Sequence, residues 1–210
     1  MLNFIILPQT CSLPSKRRVG VGSFIISLKI FVVFTVLTGI VYPLLITGIA
    51  QILFPAKANG SLIVRDNHVV GSELIGQQFD SSIYFTSRPS VGLYNPLPSG
   101  GSNFGLTNLK LKELVAARKH HFYIFDQSDS LKEIPSEMLF ASASGLDPHI
   151  SPQAALLQVD RISKARKFSE TQKQKLLDCI KKFTENPQFL CLGEKRINVL
   201  LLNLETDKIK

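Results

Sequence analysis

The dominant feature of the hydrophobic pattern is a stretch from Ile30 to Ala56 without a charged side chain. At about 1.5 Å of rise per residue, some 20 apolar residues cross the hydrocarbon core of a bilayer, so this run predicts a transmembrane helix with room to tilt. A buried core helix would be shorter and would keep a polar face. Downstream, charges interrupt every apolar stretch, and no second span is expected. Ala56-Lys57-Ala58 resembles a signal-peptidase site. The apolar run before it is too long for a signal-peptide core, which favours a retained anchor. Within the run, Pro43 removes a backbone hydrogen bond and predicts a kink. Thr35 and Gly39 are four apart, a small-xxx-small pair that lets a second helix approach, and Tyr42 follows. A helix serving only as an anchor needs neither feature, although Gly and Pro are common in transmembrane helices generally. Thr35, Gly39, Tyr42 and Pro43 are therefore candidates for packing against a partner helix.

Beyond the span the pattern changes. Ser61–Val64 and His68–Gly71 alternate like strands around a turn at Arg65-Asp66-Asn67. Residues 76–105, rich in Gly, Ser, Pro and Asn, read as a long loop of the kind that is functional or ordered by a partner. Leu106–Phe125 has helical spacing, with Leu111, Leu114, Val115 and Phe122 on one face, and Asp126–Pro135 is a polar break. Ser151 as N-cap and Pro152 at the first helical position open a helix with an Ala155, Val159, Ile162, Ala165 stripe. Ser169 opens another, carrying Leu176, Cys179, Ile180 and Phe183 and ended by Asn186-Pro187. Ile197–Leu204 suits a buried strand or a short helix equally. Strands and helices do not alternate cleanly, so the expected class is α+β: a single N-terminal transmembrane helix followed by a mixed α/β soluble domain. The expected divisions are an N-terminal cytoplasmic extension over 1–28, the transmembrane helix over 29–56, and an extracytoplasmic soluble domain over 57–210.

Charge sets the orientation in this reading. The formal net charge is +8, from 24 Lys and Arg against 16 Asp and Glu, and every acidic residue lies beyond position 57. The flank before the span carries Lys16, Arg17, Arg18 and Lys29. Positive residues stay on the cytoplasmic side, which puts the N-terminus inside and the soluble domain in a periplasm or its equivalent. Lys29 can reach the headgroups along its aliphatic stem. The remaining chain is only mildly basic, and its excess at Arg161–Lys182 reads as a solvated helix face. Two short helices about Phe168-Ser169 superficially suggest helix-turn-helix, but DNA binding needs a cytoplasmic domain, so no nucleic-acid partner is expected.

Candidate chemistry is sparse. His120 and His121 are adjacent, point about 100° apart on a helix, and cannot share a metal from one face. No HExxH, EF-hand or nucleophile-elbow pattern is present. Ser99-Gly100-Gly101-Ser102 lacks the Lys of a phosphate loop. Gly145-Leu146-Asp147-Pro148 reads as a turn. Cys179 and Cys191 lie where a disulfide is chemically permitted, and free thiols fit equally well. No catalytic or metal constellation emerges. The residues describe an accessory or interaction subunit, with a stand-alone, membrane-anchored envelope enzyme or binding domain as the alternative.

Specific strings go further. In chain order they are Val41-Tyr42-Pro43-Leu44, Ala58-Asn59-Gly60-Ser61-Leu62, Gly71-Ser72-Glu73-Leu74-Ile75-Gly76-Gln77, Tyr84-Phe85, Arg88-Pro89-Ser90 and Tyr94-Asn95-Pro96. Then come Ser99-Gly100-Gly101-Ser102-Asn103 and Ala141-Ser142-Ala143-Ser144-Gly145-Leu146-Asp147. Ile150-Ser151-Pro152-Gln153-Ala154-Ala155, Gln158, Arg161, Ala165-Arg166, Asn198-Val199 and Leu202-Asn203-Leu204 complete the set. Together they resemble the C subunit of the bacterial Kdp-type potassium-transporting ATPase. Asp160 departs from the family's usual proline, Phe104 from its usual leucine, and the first 28 residues or so exceed the usual start. The resemblance implies a non-catalytic subunit of a high-affinity, ATP-driven potassium uptake complex in the bacterial inner membrane. Its implied partners are a channel-like potassium-translocating subunit, a P-type ATP-hydrolysing subunit, a very small accessory subunit and membrane lipid. The family's C subunit is described as an assembly factor and a catalytic chaperone that raises the ATP affinity of the hydrolysing subunit. No tightly bound cofactor is implied, and ATP association would come through the ATP-hydrolysing subunit, since ATP is cytoplasmic and the domain is expected outside. The family-motif residues Gly100, Gly101, Ser102, Asn103, Ser144, Gly145, Asp147, Gln153 and Arg161 are then expected to contact a partner or to hold the fold.

Overall fold

A computed structural model describes residues 20–126, 133–189 and 191–209. Residues 1–19, with Cys11 and the cluster Lys16, Arg17 and Arg18, lie outside the described residues, as do 127–132 of the expected polar break. The chain divides into two units, Met1–Pro55 and Ala56–Lys210.

The described residues of the first unit hold one helix, Val21–Leu53, of 33 residues, long and apolar enough to cross a membrane. At 1.5 Å per residue it measures about 50 Å, well beyond the hydrocarbon core, so both ends extend past it or the helix tilts. It begins at Val21, before the expected position 29, because Val21–Leu28 continues the apolar pattern and Lys29 sits within the helix without breaking it. The helix comprises α1 (Val21–Val36), a π-helical segment (Leu37–Val41) and α2 (Tyr42–Leu53). The distortion expected at Pro43 is thus taken up one turn earlier. A proline ring presses on the carbonyl four residues back, here that of Gly39, and a wider π turn relieves that crowding. None of α1, the π segment or α2 buries a residue. A four-residue helix, α3 (Pro55–Ala58), comes next.

The second unit is α+β. Strands β1 (Leu62–Arg65) and β2 (His68–Ser72) form an antiparallel hairpin. Its two-residue turn has positive φ at both Asp66 (49°) and Asn67 (63°), the type I′ geometry these residue types tolerate. A bulge leaves Val70 out of register, and its carbonyl accepts from Gln77 Nε2 at 3.0 Å. After the long loop come α4 (Leu109–Asp126), the short α5 (Ser136–Leu139) and β3 (His149–Ile150). Helix α6 (Pro152–Arg166) is capped by Ser151, whose side chain accepts from the Ala154 amide. Helix α7 (Glu170–Phe183) has a reciprocal Ser169/Gln172 capping box. Ile197–Leu204 is both things the sequence allowed: β4 (Ile197–Asn198) pairs antiparallel with β3, and α8 (Val199–Thr206) starts at once, capped by Asn198.

The core gathers Ile150, Ala154, Ala155, Val159, Ile162, Leu176, Ile180, Ile197 and Leu202 from β3, α6, α7, β4 and α8. Three expectations about burial need correction. Ala165 is exposed, because the stripe of α6 drifts away from α7 in its last turn. Leu114 is 40% exposed, since the first turns of α4 are only partly covered, with Leu111 and Val115 half-buried on the same face. Phe85, inside the long loop, is 0% exposed and is core.

Candidate functional site

In the first unit, the four candidate packing residues lie at or beside the π segment. Thr35 donates through Oγ1 to Phe31 O at 2.7 Å, so its hydroxyl is satisfied within the helix. A Cβ placed on Gly39 meets nothing within 4 Å, leaving that backbone open to close approach. Tyr42 is exposed, and Thr47 donates through its hydroxyl to Pro43 O at 2.7 Å, so that this hydroxyl too is satisfied within the helix. A π segment inserts one residue into the helical repeat and rotates the residues after it by about 100°, one residue's share of a turn. Tyr42 and Pro43 are therefore rotated relative to Thr35, an offset that spacing alone does not reveal.

In the second unit, the two Gly/Ser loops meet. The Gly100 amide donates to Ser144 O at 3.1 Å. Gly101 lies against Ala143, where a Cβ would sit 3.4 Å from the carbonyl oxygen. Gly145 adopts φ +70°, and a Cβ there would lie 3.0 Å from Ser90 Oγ and 3.4 Å from Gly100 O, so only glycine suits both the angle and the space. The Gly76 amide closes the other side on Leu146 O at 2.7 Å. Ser144 Oγ accepts from the Leu146 amide, and Ser102 is half-buried beside the exposed Asn103, itself at φ 53°. Gln153 stands apart from these loops, exposed in the first turn of α6.

Asp147 locks the junction. Its Oδ2 accepts from Arg88 at 2.9 Å, and its Oδ1 accepts from the His149 amide at 3.0 Å, with His149 Nδ1 at 3.4 Å. Burial alone would raise the carboxyl pKa. The hydrogen bonds from His149 and Arg88, with the charge of Arg88, outweigh it and hold the group down at about 2.

Arg161 is the largest departure from the sequence reading. It belongs to the run read as a solvated face, yet its side chain is buried. Nε donates to Asp126 Oδ1 at 2.6 Å, and Nη1 donates to Ser82 O at 2.6 Å and Tyr84 O at 3.0 Å. Nη2 donates to Gln158 Oε1 at 2.8 Å, and the guanidinium lies 4.5 Å over the Phe125 ring. Asp126, read as part of a polar break, is instead the buried last residue of α4. Burial pushes its pKa up against the pull of Arg161.

The consequence falls on residues 82–86, a loop whose backbone has no strand partner. Gln158 Oε1 accepts from the Thr86 amide at 2.8 Å. Asn203 behaves like a neighbouring strand, accepting from the Phe85 amide at 2.8 Å and donating to Phe85 O at 3.0 Å. A buried backbone needs such partners, and here Arg161, Gln158 and Asn203 supply them from α6 and α8. Asp207 adds an outer clasp, accepting from Arg166 at 2.8 Å and Arg65 at 3.4 Å. Arg88 and Asn203 stand in the strings that carry the family resemblance but were given no role there, and Asp126 was read only as the start of a polar break. Their partners lie far along the chain, and nothing local marks them.

Between α4 and the loop lies a cleft of about 440 Å³, with Phe79, Phe122, Phe125, Tyr94 and Arg118 among its walls. Tyr94 donates to Arg88 O at 2.6 Å, and burial, the largest effect, pushes its pKa up to about 12. Arg118 donates to Leu139 O, and burial lowers its pKa. Cys179 and Cys191 are free thiols, half-buried and exposed respectively. Among the described residues, no three His, Cys, Asp or Glu side chains gather to hold a metal ion.

The second unit is thus a set of loops fastened by helix side chains, and the described residues of the first hold an apolar helix that buries none of its side chains. Known proteins match the chain over most of its length. The model of one family, described as KdpC, the K+-transporting ATPase c chain, matches residues 24–208. A potassium-transporting ATPase KdpC subunit from Pectobacterium atrosepticum is 46% identical over 187 residues, covering 88% of this chain and 95% of the relative. The KdpC subunit of Leptospira interrogans is 42% identical over 182 residues, covering 87% and 92%. That of Trichlorobacter lovleyi is 47% identical over 187 residues, covering 87% and 96%. On this ground the chain belongs to the KdpC family, the c chains of K+-transporting ATPases.

Proposed function

We propose that this chain is a non-catalytic subunit of an ATP-driven potassium uptake complex, anchored by its single span in the bacterial inner membrane with the soluble unit outside. The observation that carries the reading is the family match over residues 24–208 combined with a 33-residue apolar helix that buries none of its side chains within the chain. Such a helix needs lipid and partner helices to cover it. In this reading, the stretch from Thr35 to Pro43 packs against a channel-like translocating subunit, and Gly39 marks the point of closest approach. The loops over 76–105 and 141–153, fixed by Arg161, Asp147 and Asn203, support the outer face of that subunit. The P-type ATP-hydrolysing subunit and a small accessory subunit complete the assembly.

Any effect on ATP affinity is then indirect. ATP is cytoplasmic, and the chain would act by favouring one state of the pump through its span. In this reading the chain holds no cofactor tightly, and any ATP association comes through the ATP-hydrolysing subunit.

The test is a mild-detergent pull-down of tagged chain from its host grown in scarce potassium, with the co-purifying proteins identified by mass. The reading predicts recovery of a large P-type ATPase and a polytopic channel-like protein. It also predicts that Gly39→Leu loosens both. Recovery of a stable, folded chain alone would contradict it and favour an independent envelope protein.

A further inference from the structure

Six arginines lie among the described residues, and five of them have a carboxylate partner. Arg65 and Arg166 share Asp207, Arg88 has Asp147, Arg161 has Asp126 and Arg196 has Glu185. Arg118, midway along α4, is the exception: among the described residues, no carboxylate lies within ion-pair distance of it. It is half-buried, and its Nη1 donates at 2.8 Å to a neutral acceptor, Leu139 O. Burial lowers its pKa, and no acid among the described residues offsets that. A cation drawn partly out of water without a counter-charge is costly, and a carbonyl does not neutralise it. Arg118 stands where two cavities meet. On one side is the cleft of about 440 Å³, with Phe79, Tyr94 and Phe122 in its walls. On the other is a cavity of about 240 Å³, walled in part by Gly101, Ser102 and Ala143 of the two Gly/Ser strings. The two carboxylates that line the larger cleft have partners of their own: Arg161 donates to Asp126, and Gln78 Nε2 donates to Asp80 at 2.8 Å. Among the described residues, no lysine lines either cavity. One guanidinium fork between an aromatic hollow and a Gly/Ser wall suits a single carboxylate with an apolar group beside it.

We propose that this cleft receives a segment of the translocating subunit that presents a carboxylate beside an apolar side chain, the carboxylate pairing with Arg118 and the apolar group lodging among Phe79, Tyr94 and Phe122. The inference rests on the reading of this chain as a subunit whose loops over 76–105 and 141–153 support that partner, and it names the chemistry of the contact. Both cavities take part of their walls from those loops, so the site is continuous with the surface assigned to the partner. Charge complementarity favours an acidic occupant, because Arg118 is the arginine left without a carboxylate among the described residues. A guanidinium takes a carboxylate through two parallel hydrogen bonds, which fixes the angle of approach as well as the charge. Arginine and aromatic side chains in a pocket are where interfaces concentrate their binding energy.

The test uses full-length tagged chain with the photo-reactive amino acid benzoylphenylalanine in place of Leu93, an exposed residue of the cleft wall. The same reporter in place of Leu114 gives a second position on the opposite, helical wall. Each chain is produced in its host in scarce potassium, irradiated in the membrane and purified, and the adducts are identified by peptide mass. The proposal predicts an adduct with a translocating-subunit peptide that contains Asp or Glu. Arg118→Glu should abolish the adduct, and Arg118→Lys, which keeps the charge but not the fork, should weaken it. Reversing the partner's acid to Arg should restore the adduct in the Arg118→Glu chain. Circular dichroism checks that Arg118→Glu is folded, and Arg118→Gln takes its place if it is not. Recovery of the complex with no adduct at either position, an adduct indifferent to Arg118, or one confined to the chain's own residues 127–132 would overturn the docking and leave the subunit reading standing. Failure to recover any partner subunit would contradict the subunit reading itself, and the docking with it.

Discussion

Helices α4 and α6 invert the roles their sequences suggest. Helix α4 has the spacing of a core-facing helix, yet it fully buries only Phe122 and Asp126, and its earlier turns are at most half-buried. Helix α6 opens a stretch dense in charge, yet it buries Ala154, Ala155, Gln158, Val159, Arg161, Ile162 and Ser163. Periodicity shows that a helix has an apolar face, but it does not show whether the same chain covers that face. Charge density likewise does not show which cation has a distant carboxylate waiting for it. Here α6 is the internal brace that fixes residues 82–86, and α4 is the element left open to the surroundings.

The sharpest way to break this contrast is at Arg161. Arg161→Met leaves Asp126 buried without its partner and two loop carbonyls unbonded, and should cost about 3–5 kcal/mol of stability. Thermal denaturation of the solubilised full chain measures it. Adding Asp126→Leu should recover most of the loss, since removing both charges avoids a stranded one. Asn203→Ala strips both hydrogen bonds from Phe85 and should cost about 1–3 kcal/mol by the same assay.

Asp147 gives a smaller, pH-dependent effect. Its carboxyl is held at about 2, below its ordinary value of 3.8, so its contribution is present above about pH 4 and is lost as pH falls toward 2. With a third of the side chain exposed, that contribution is at most about 2 kcal/mol. Arg88→Ala should shrink it, seen as a flatter acid limb in melting temperature against pH. At the low end, Leu109→Ser at the exposed start of α4, where the leucine is 72% exposed, should shift the stability of the isolated chain by less than about 0.5 kcal/mol. A loss comparable to that at Asn203 would mean that α4 is covered after all.

Legibility in the sequence tracks the range of the interactions. The hairpin could be read because two short alternating runs flank Asp66-Asn67, a pair that tolerates positive φ. The starts of α6 and α7 could be read because Ser151-Pro152 and Ser169…Gln172 act within three residues. The loop at 76–105 could be read as a loop, but Phe85 could not be recognised as core. Its backbone partner Asn203 lies 118 residues away, and the partner of Thr86 lies 72 residues away. The Gly/Ser strings were visible as motifs, whereas their mutual contact through Gly100 and Ser144 belongs to the tertiary fold. The long apolar helix was visible from composition, but the π turn was not. A proline demands relief without specifying where the extra residue goes.

Hydrogen–deuterium exchange of the full-length chain in nanodiscs, resolved by peptide mass, tests the contrast most directly. The account predicts slow exchange for the Phe85 and Thr86 amides, held by Asn203 and Gln158, and fast exchange across 109–117 when nothing covers α4. Equal protection of the two segments in the chain alone, or faster exchange at 85–86 than at 109–117, would contradict it.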